Sequence, residues 1–165
     1  CGFYKPTKGE IKIENINISN IDINYLRSNI AMLNQNVKLF NVSIYDNINY
    51  GNNISNNIIN NFIQKYKINL YNNMNLNNNA GQHGNNLSGG QKQMTLIIRV
   101  LLTKKKILIF DEPTSALDNY HFGVFNDIIK NINKTIIIIT HDARFDKTKF
   151  NNRYHLENGH LKKIL

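Results

Sequence analysis

A single cysteine in 165 residues excludes an internal disulfide and suits a reducing compartment. No stretch approaches 18 consecutive apolar residues, so no part of this sequence reads as a membrane-crossing helix. No sustained heptad pattern occurs either, which excludes a long coiled coil. Acidic residues are few, 11 Asp and Glu against 20 Lys and Arg, giving a formal charge of +9 and a pI near 9.6. Such a balance can signal nucleic acid. Here the lysines are scattered, and the one tight run, Lys104-Lys105-Lys106, reads as a solvated turn ahead of a strand, so no nucleic acid is expected as partner. Asparagine makes up about a fifth of the chain against a few per cent in average proteins. Without aromatic-polar alternation, this excess and the heavy use of isoleucine point to an AT-rich genome rather than a prion-like role. Also missing is G-x-x-x-x-G-K-[ST], the loop whose amides and lysine cradle phosphates.

What is present centres on Leu87-Ser88-Gly89-Gly90-Gln91 and, a short helix later, Ile107-Leu108-Ile109-Phe110-Asp111-Glu112-Pro113. A serine and two glycines opening a helix over Gln91 to Leu102 place unpaired N–H groups at a helix start, where a phosphate can approach. Four apolar residues before Asp111 predict a strand buried on both faces, delivering two carboxylates at its C-terminal end, where open parallel sheets bind ligands. One carboxylate can hold Mg²⁺ and the other can handle water.

These residues carry a resemblance. Leu87 to Gln91 followed by ILIFDEPTSALD (Ile107 to Asp118) looks like the signature motif, Walker B motif and D-loop of ABC-type ATPases, in that family's order and spacing. The pentapeptide alone would arise by chance in about one window in a million. Gly2 to Ile11 resembles the stretch that comes after the Walker A helix of such domains, so the sequence is expected to begin just downstream of its own P-loop. Gln35 to Gly51 is similar to the Q-loop and following segment of exporter-type members, Thr140-His141-Asp142 resembles the H-loop, and the interval from Gln35 to Ser88 fits a compact helical subdomain.

The resemblance implies an α/β, P-loop NTPase-like core with a mostly parallel sheet plus a small helical signature subdomain, the first strands and P-loop missing. About 36–102 would form the helical subdomain, with 1–35 and 103–165 in the catalytic core. It implies ATP binding and hydrolysis powering export, with ATP and Mg²⁺ as ligands, transmembrane domains and a second ABC ATPase domain in a head-to-tail dimer as partners, and a place on the cytoplasmic face of a membrane. Carried over by position, Asp111 would hold Mg²⁺ and Glu112 would be the general base. Gln35 would complete the metal and water shell, a role its neutral amide suits. His141 would touch the γ-phosphate. Ser88, Gly89, Gly90 and Gln91 would close over ATP bound to the partner, with Asp118 communicating across the interface. Two other classes fit the motifs: a soluble ABC-type ATPase of translation or DNA maintenance, and a catalytically dead remnant acting as a binding module.

Elsewhere the pattern predicts core and punctuation. Ile11 and Ile13 alternate as an edge strand, and Asn24 is placed to cap a short helical turn. Ile30 to Leu33 reads as a buried strand. From Ser55, a candidate N-cap, Ile58, Ile59, Phe62, Ile63 and Tyr66 fall on one helical face. Asn72 to Asn79 is a polar loop. Where exporters carry an acidic residue before the signature, Gln82 and His83 stand. Met94 and Thr95 stand where the family usually has Arg followed by Ile or Val, and Ile98-Arg99-Val100 stands where it has Ala-Arg-Ala; small-to-large changes in a packed helix cost about 1–3 kcal/mol unless neighbours shrink. Phe125, Ile128, Ile129 and Ile132 form another stripe, Thr135 to Thr140 a buried β-branched strand, and Tyr154 to Leu161 a hairpin about Asn-Gly.

Overall fold

The computed structural model describes residues 1–72 and 74–164. Asn73, within the predicted polar loop, lies outside the described residues, as does Leu165. The chain opens with a small hairpin, Lys12–Ile13 (β1) against Ile16–Asn17 (β2). Its two turn residues, Glu14 and Asn15, are both left-handed at φ 50° and 66°, the geometry that matches strand twist in two-residue turns. Helix α1, Ile23–Asn29, starts on Asp22, whose carboxylate accepts from Tyr25 N at 2.8 Å. Asn24 is therefore inside the helix and the cap lies two residues earlier; both types cap well, and the structure decides between them by placing the Asp22 carboxylate over the free amide.

The core sheet is parallel, in the order β3 (Ile30–Leu33), β4 (Ile107–Asp111), β5 (Thr135–Ile139), with α2 (Ile44–Asn49), α3 (Asn56–Lys65) and α4 (Gly89–Leu101) between β3 and β4, and α5 (Asn119–Asn131) between β4 and β5. Parallel pairing requires such crossovers, because a strand must return to its starting edge before running beside its neighbour. A hairpin, β6 (Tyr154–Glu157) and β7 (His160–Lys163), comes last, turning at Asn158 and Gly159 with φ 49° and 77°.

One core joins the helices to one face of this sheet. Leu33, Leu108 and Phe110 pack with Met94, Ile97, Ile98 and Val100 of α4 and with Phe125 and Ile128 of α5. Fully burying such a side chain stabilises by roughly 1.5–3 kcal/mol. The bulky Ile98 and Val100 are absorbed here at 0% and 6% exposure. Thr95 is buried as well, its hydroxyl bonded to the buried Tyr71 hydroxyl at 2.8 Å and to Gln91 O at 2.7 Å. Burial pushes the Tyr71 phenol well above its ordinary range, with the Thr95 bond acting in the opposite sense.

The opposite sheet face departs from expectation. Met32, Ile137 and Ile139 are 39%, 47% and 52% exposed, and Ile109 between them is only half-buried, so neither β4 nor β5 is enclosed on both sides. A parallel sheet buries both faces only where something covers both. Ile58 of α3 is likewise exposed, leaving Ile59 as the buried residue of that helix, and Ser55 occupies the N-cap position without a side-chain bond. Lys105, expected in a solvated turn, instead donates to Arg27 O and Ile30 O at 3.1 and 2.9 Å, fastening the turn before β4 to the junction of α1 and β3.

Between β3 and α4, Asn47 organises the loop after Gln35. Wholly buried, it accepts from Phe40 N at 2.9 Å and donates to Phe40 O and Ser43 O at 3.0 Å. Arg99 of α4 reaches across to Asn47 O and Oδ1 at 2.6 and 3.1 Å. The loop is thereby held from both ends by groups whose removal would leave buried partners unpaired.

Candidate functional site

Because β3, β4 and β5 run parallel, their C-terminal ends share one edge, and the register aligns the residues just beyond each strand. Leu33 pairs with Phe110, and Phe110 with Ile138. Gln35 and Glu112 thus lie equally far beyond a paired couple, with Thr140 level with them on β5. Gln35 is exposed. The structure brings Gln35, Asp111, Glu112 and His141 to this single edge.

Glu112 is the hinge of the arrangement. It is left-handed, φ 50°, a conformation that costs a residue with a Cβ roughly 1–2 kcal/mol. Its N–H still continues the ladder, donating to Ile139 O at 2.9 Å, while its carboxylate meets the end of β5. Oε1 accepts from His141 N at 3.1 Å and from His141 Nδ1 at 2.8 Å, and Oε2 accepts from Thr140 Oγ1 at 3.3 Å. A carboxylate offers only lone pairs, so Nδ1 donates and Nε2 faces outward. The histidine side chain is 89% exposed and the glutamate 15%. One acid is therefore held rigid and nearly buried, and one imidazole is anchored at Nδ1 with its other nitrogen available.

The helix start at Ser88 is less open than its sequence suggests. Ser88 Oγ accepts from Gln91 N at 3.2 Å, and Gln91 Oε1 accepts from Ser88 N at 2.9 Å, a reciprocal capping box. Two of the amides expected to be free are taken. Among the described residues, those of Gly89 and Gly90 have no acceptor, and they form what remains of the anion seat. Gln91 Nε2 also donates to Leu70 O at 2.9 Å, and Gln93 Nε2 donates to Pro113 O at 2.7 Å, tying α4 to the segment after β4. A Cβ on Gly90 would meet Ala116 O at 3.4 Å, an ordinary contact distance, so Ala116 lies beside this helix start.

Asp118 is engaged locally: its Oδ1 accepts from His121 N and from His121 Nδ1, each at 2.8 Å, capping α5. Those bonds, the backbone one foremost, hold its carboxyl below the usual carboxylate range against a smaller opposing effect of burial.

Sequence reasoning missed a cluster just behind this edge. Arg144 donates to both oxygens of Asp142 at 2.7–3.0 Å, to Thr114 O at 3.0 Å and to Leu117 O at 2.9 Å. The buried Thr114 donates its hydroxyl to Asp142 Oδ2 at 2.7 Å. The Arg144 bonds, with Thr114 assisting, keep the Asp142 carboxyl well below its ordinary range. The one local trace of it in the sequence is a carboxylate and a guanidinium two positions apart, directly after His141.

The donors at this edge suit a hard divalent cation. Mg²⁺ is held by one or two carboxylates with the remaining positions filled by water and substrate phosphates, and Asp111 with the amide oxygen of Gln35 supplies such a set. Among the described residues no group of three or more His, Cys, Asp or Glu is arranged to hold a metal by itself.

The chain is similar to known proteins. The family described as ABC transporter matches residues 1–115. The chain is 34% identical over 146 residues to an ATP-dependent lipid A-core flippase of Francisella tularensis subsp. holarctica (strain OSU18), covering 84% of this chain and 24% of that protein. It is 35% identical over 157 residues to ATP-binding cassette sub-family B member 5 of Mus musculus, covering 84% and 12%. A solved structure described as a bacterial Atm1-family ABC exporter with ATP bound superimposes with a TM-score of 0.85 at 28% identity, over 96% of this chain and 29% of that one. The chain thus spans about a quarter or less of the length of the flippase and of the sub-family B member.

Proposed function

The chain belongs to the ABC transporter family, and from that premise we propose that it serves as nucleotide-binding domain material of an exporter, taking part in ATP binding and hydrolysis that drive transport. The observation that carries the proposal is the Glu112–His141 pair at the C-terminal edge of a parallel sheet, level with Gln35 and beside Asp111. Similarity to proteins named as exporters supports the transport half.

In this proposal residues 36–102 form the helical lobe that presents the signature, and 1–35 with 103–165 belong to the catalytic core. Two such domains meet head to tail, beneath transmembrane domains on the cytoplasmic face of a membrane. Asp111 and Gln35 would hold Mg²⁺, which would supply positive charge against the phosphates of the nucleotide. Glu112, fixed by His141 and Thr140, orients water and accepts its proton, a role that depends on its position as much as on its basicity. His141 presents Nε2 toward the γ-phosphate. The free amides of Gly89 and Gly90, with the Ser88 hydroxyl, meet the phosphates of ATP seated on the partner, and Asp118 lies at the junction between the two. Acceleration then comes from positioning and charge neutralisation.

Gly89→Asp tests the signature half. A Cβ there has room, its nearest neighbour being Ala116 Cβ at 3.7 Å, and a carboxylate at a helix start favours the helix. Folding is expected to survive. Like charge against a phosphate costs several kcal/mol, so MgATP turnover by the natural polypeptide in lipid vesicles is expected to fall about 100-fold. Unchanged turnover would remove Gly89 from the nucleotide interface.

A further inference from the structure

The cluster behind the sheet edge has a shape that no motif announces. Starting at Glu112, the chain runs through Pro113 to Thr114, whose hydroxyl bonds Asp142. Asp142 adjoins His141, and His141 bonds back to Glu112 through both its ring and its backbone amide. This is a closed circuit of hydrogen bonds and short chain segments joining the ends of β4 and β5. Arg144 sits at its centre of charge. Its guanidinium grips Asp142 on one side and the carbonyls of Thr114 and Leu117 on the other, with the Phe122 ring 4.6 Å below it. Charge-assisted and forked bonds of this kind fix direction as well as distance. The segment 114–117 and the turn after His141 are therefore set relative to each other by one side chain.

We propose that Arg144 and Asp142 are positioning residues for the Glu112–His141 pair: neither faces nucleotide, and both hold the two loops so that Glu112 keeps its left-handed turn and His141 keeps its Nδ1 bond. The inference rests on the proposed nucleotide site for its functional meaning and on the hydrogen bonds alone for its structural content. Without the clamp, the strain at Glu112 is opposed by fewer contacts, and such strain persists only where the surroundings over-determine it.

The test needs no nucleotide. In the natural polypeptide, the ¹⁵N signature of the His141 ring and hydrogen exchange at the His141 amide report the pair directly, and Glu112→Gln supplies the reference for a broken or altered pair. Arg144→Gln is expected to move the ring signature toward that reference and to speed exchange at His141 about tenfold or more, the scale of a local opening made easier by one or two bonds. Arg144→Lys keeps the charge but loses the fork, and is expected to fall between wild type and Arg144→Gln. Should Arg144→Gln not fold, Thr114→Val removes one bond of the circuit and is expected to shift both readouts in the same direction by less. A role confined to stability would lower the thermal midpoint and leave the ring signature where it was. Wild-type signature and exchange in Arg144→Gln, or in Thr114→Val where only that variant folds, with Glu112→Gln altered, would overturn the proposal. The nucleotide assignment fails separately, through turnover that survives Glu112→Gln, and that result leaves the exchange data standing.

Discussion

Glu112→Gln is expected to lower MgATP turnover about a thousandfold in the natural polypeptide while leaving ATP binding within a few fold of wild type. The substitution is isosteric, so the turn at φ 50° and the approach to β5 are retained. One amide oxygen can still accept from His141 N. What disappears is the oxygen that takes a proton from water, and general-base contributions run from about 10² to 10⁴. A loss expressed in turnover with affinity kept is the mark of an interaction used in the transition state and not in the ground state. Turnover within a few fold of wild type would mean that another group takes the proton, and the role given to the Glu112–His141 pair would be withdrawn.

The second large effect is on stability. Phe110→Ala is expected to cost about 3–5 kcal/mol, the range for truncating a buried aromatic side chain. Phe110 is fully buried on β4, the central strand, and meets Phe125 of α5 edge to face, with ring centroids 5.3 Å apart and planes at 75°. Phe125 in turn faces Phe145 at 6.4 Å, so one cavity would loosen the contact between sheet, helix and the turn after His141. Ile137→Ala, on the exposed face of the same sheet at 47% exposure, is expected to cost well under half as much, because most of its surface is already in water. Urea denaturation of the three proteins measures the difference as a shift in midpoint at constant slope. Equal losses at the two positions would contradict the one-sided core.

Much of this arrangement is legible in the chain itself. The order of Gln35, Ser88, Asp111 and His141 along the sequence, with apolar runs before Asp111 and His141, marks a parallel sheet and the edge where its ligands gather. The hairpin at Asn158-Gly159 is read from turn chemistry, and the helix read over Gln91 to Leu102 is found two residues earlier, from Gly89, because Ser88 caps it and both glycines take up helical conformation. The capping box is legible too, since Ser88 and Gln91 stand three apart, and their mutual bonds leave the glycine amides alone as the anion seat. Other features have no local signature. Thr135 to Ile139 would show the same β-branched run whether one face or both were covered, because the pattern records what a strand can bury and not what is there to bury it. Asp22 and Asn24 are comparable caps, and only the geometry of α1 separates them. Asp142 and Arg144 stand close enough in sequence to suggest a pair, but their bonds to Thr114 span 28 and 30 positions, and nothing local to either segment announces a contact made by folding.

In the proposed function this chain faces ATP with two different surfaces, the sheet edge toward one nucleotide and the signature helix toward another. An ATP analogue carrying a photoreactive group on its γ-phosphate, irradiated with Mg²⁺ in the assembled protein and mapped by mass spectrometry, tests it most directly. The expected labels fall on His141 in one copy and on the Ser88 to Gly90 segment of its partner, both suppressed by excess ATP. Labelling that competes with ATP but avoids both segments would contradict it.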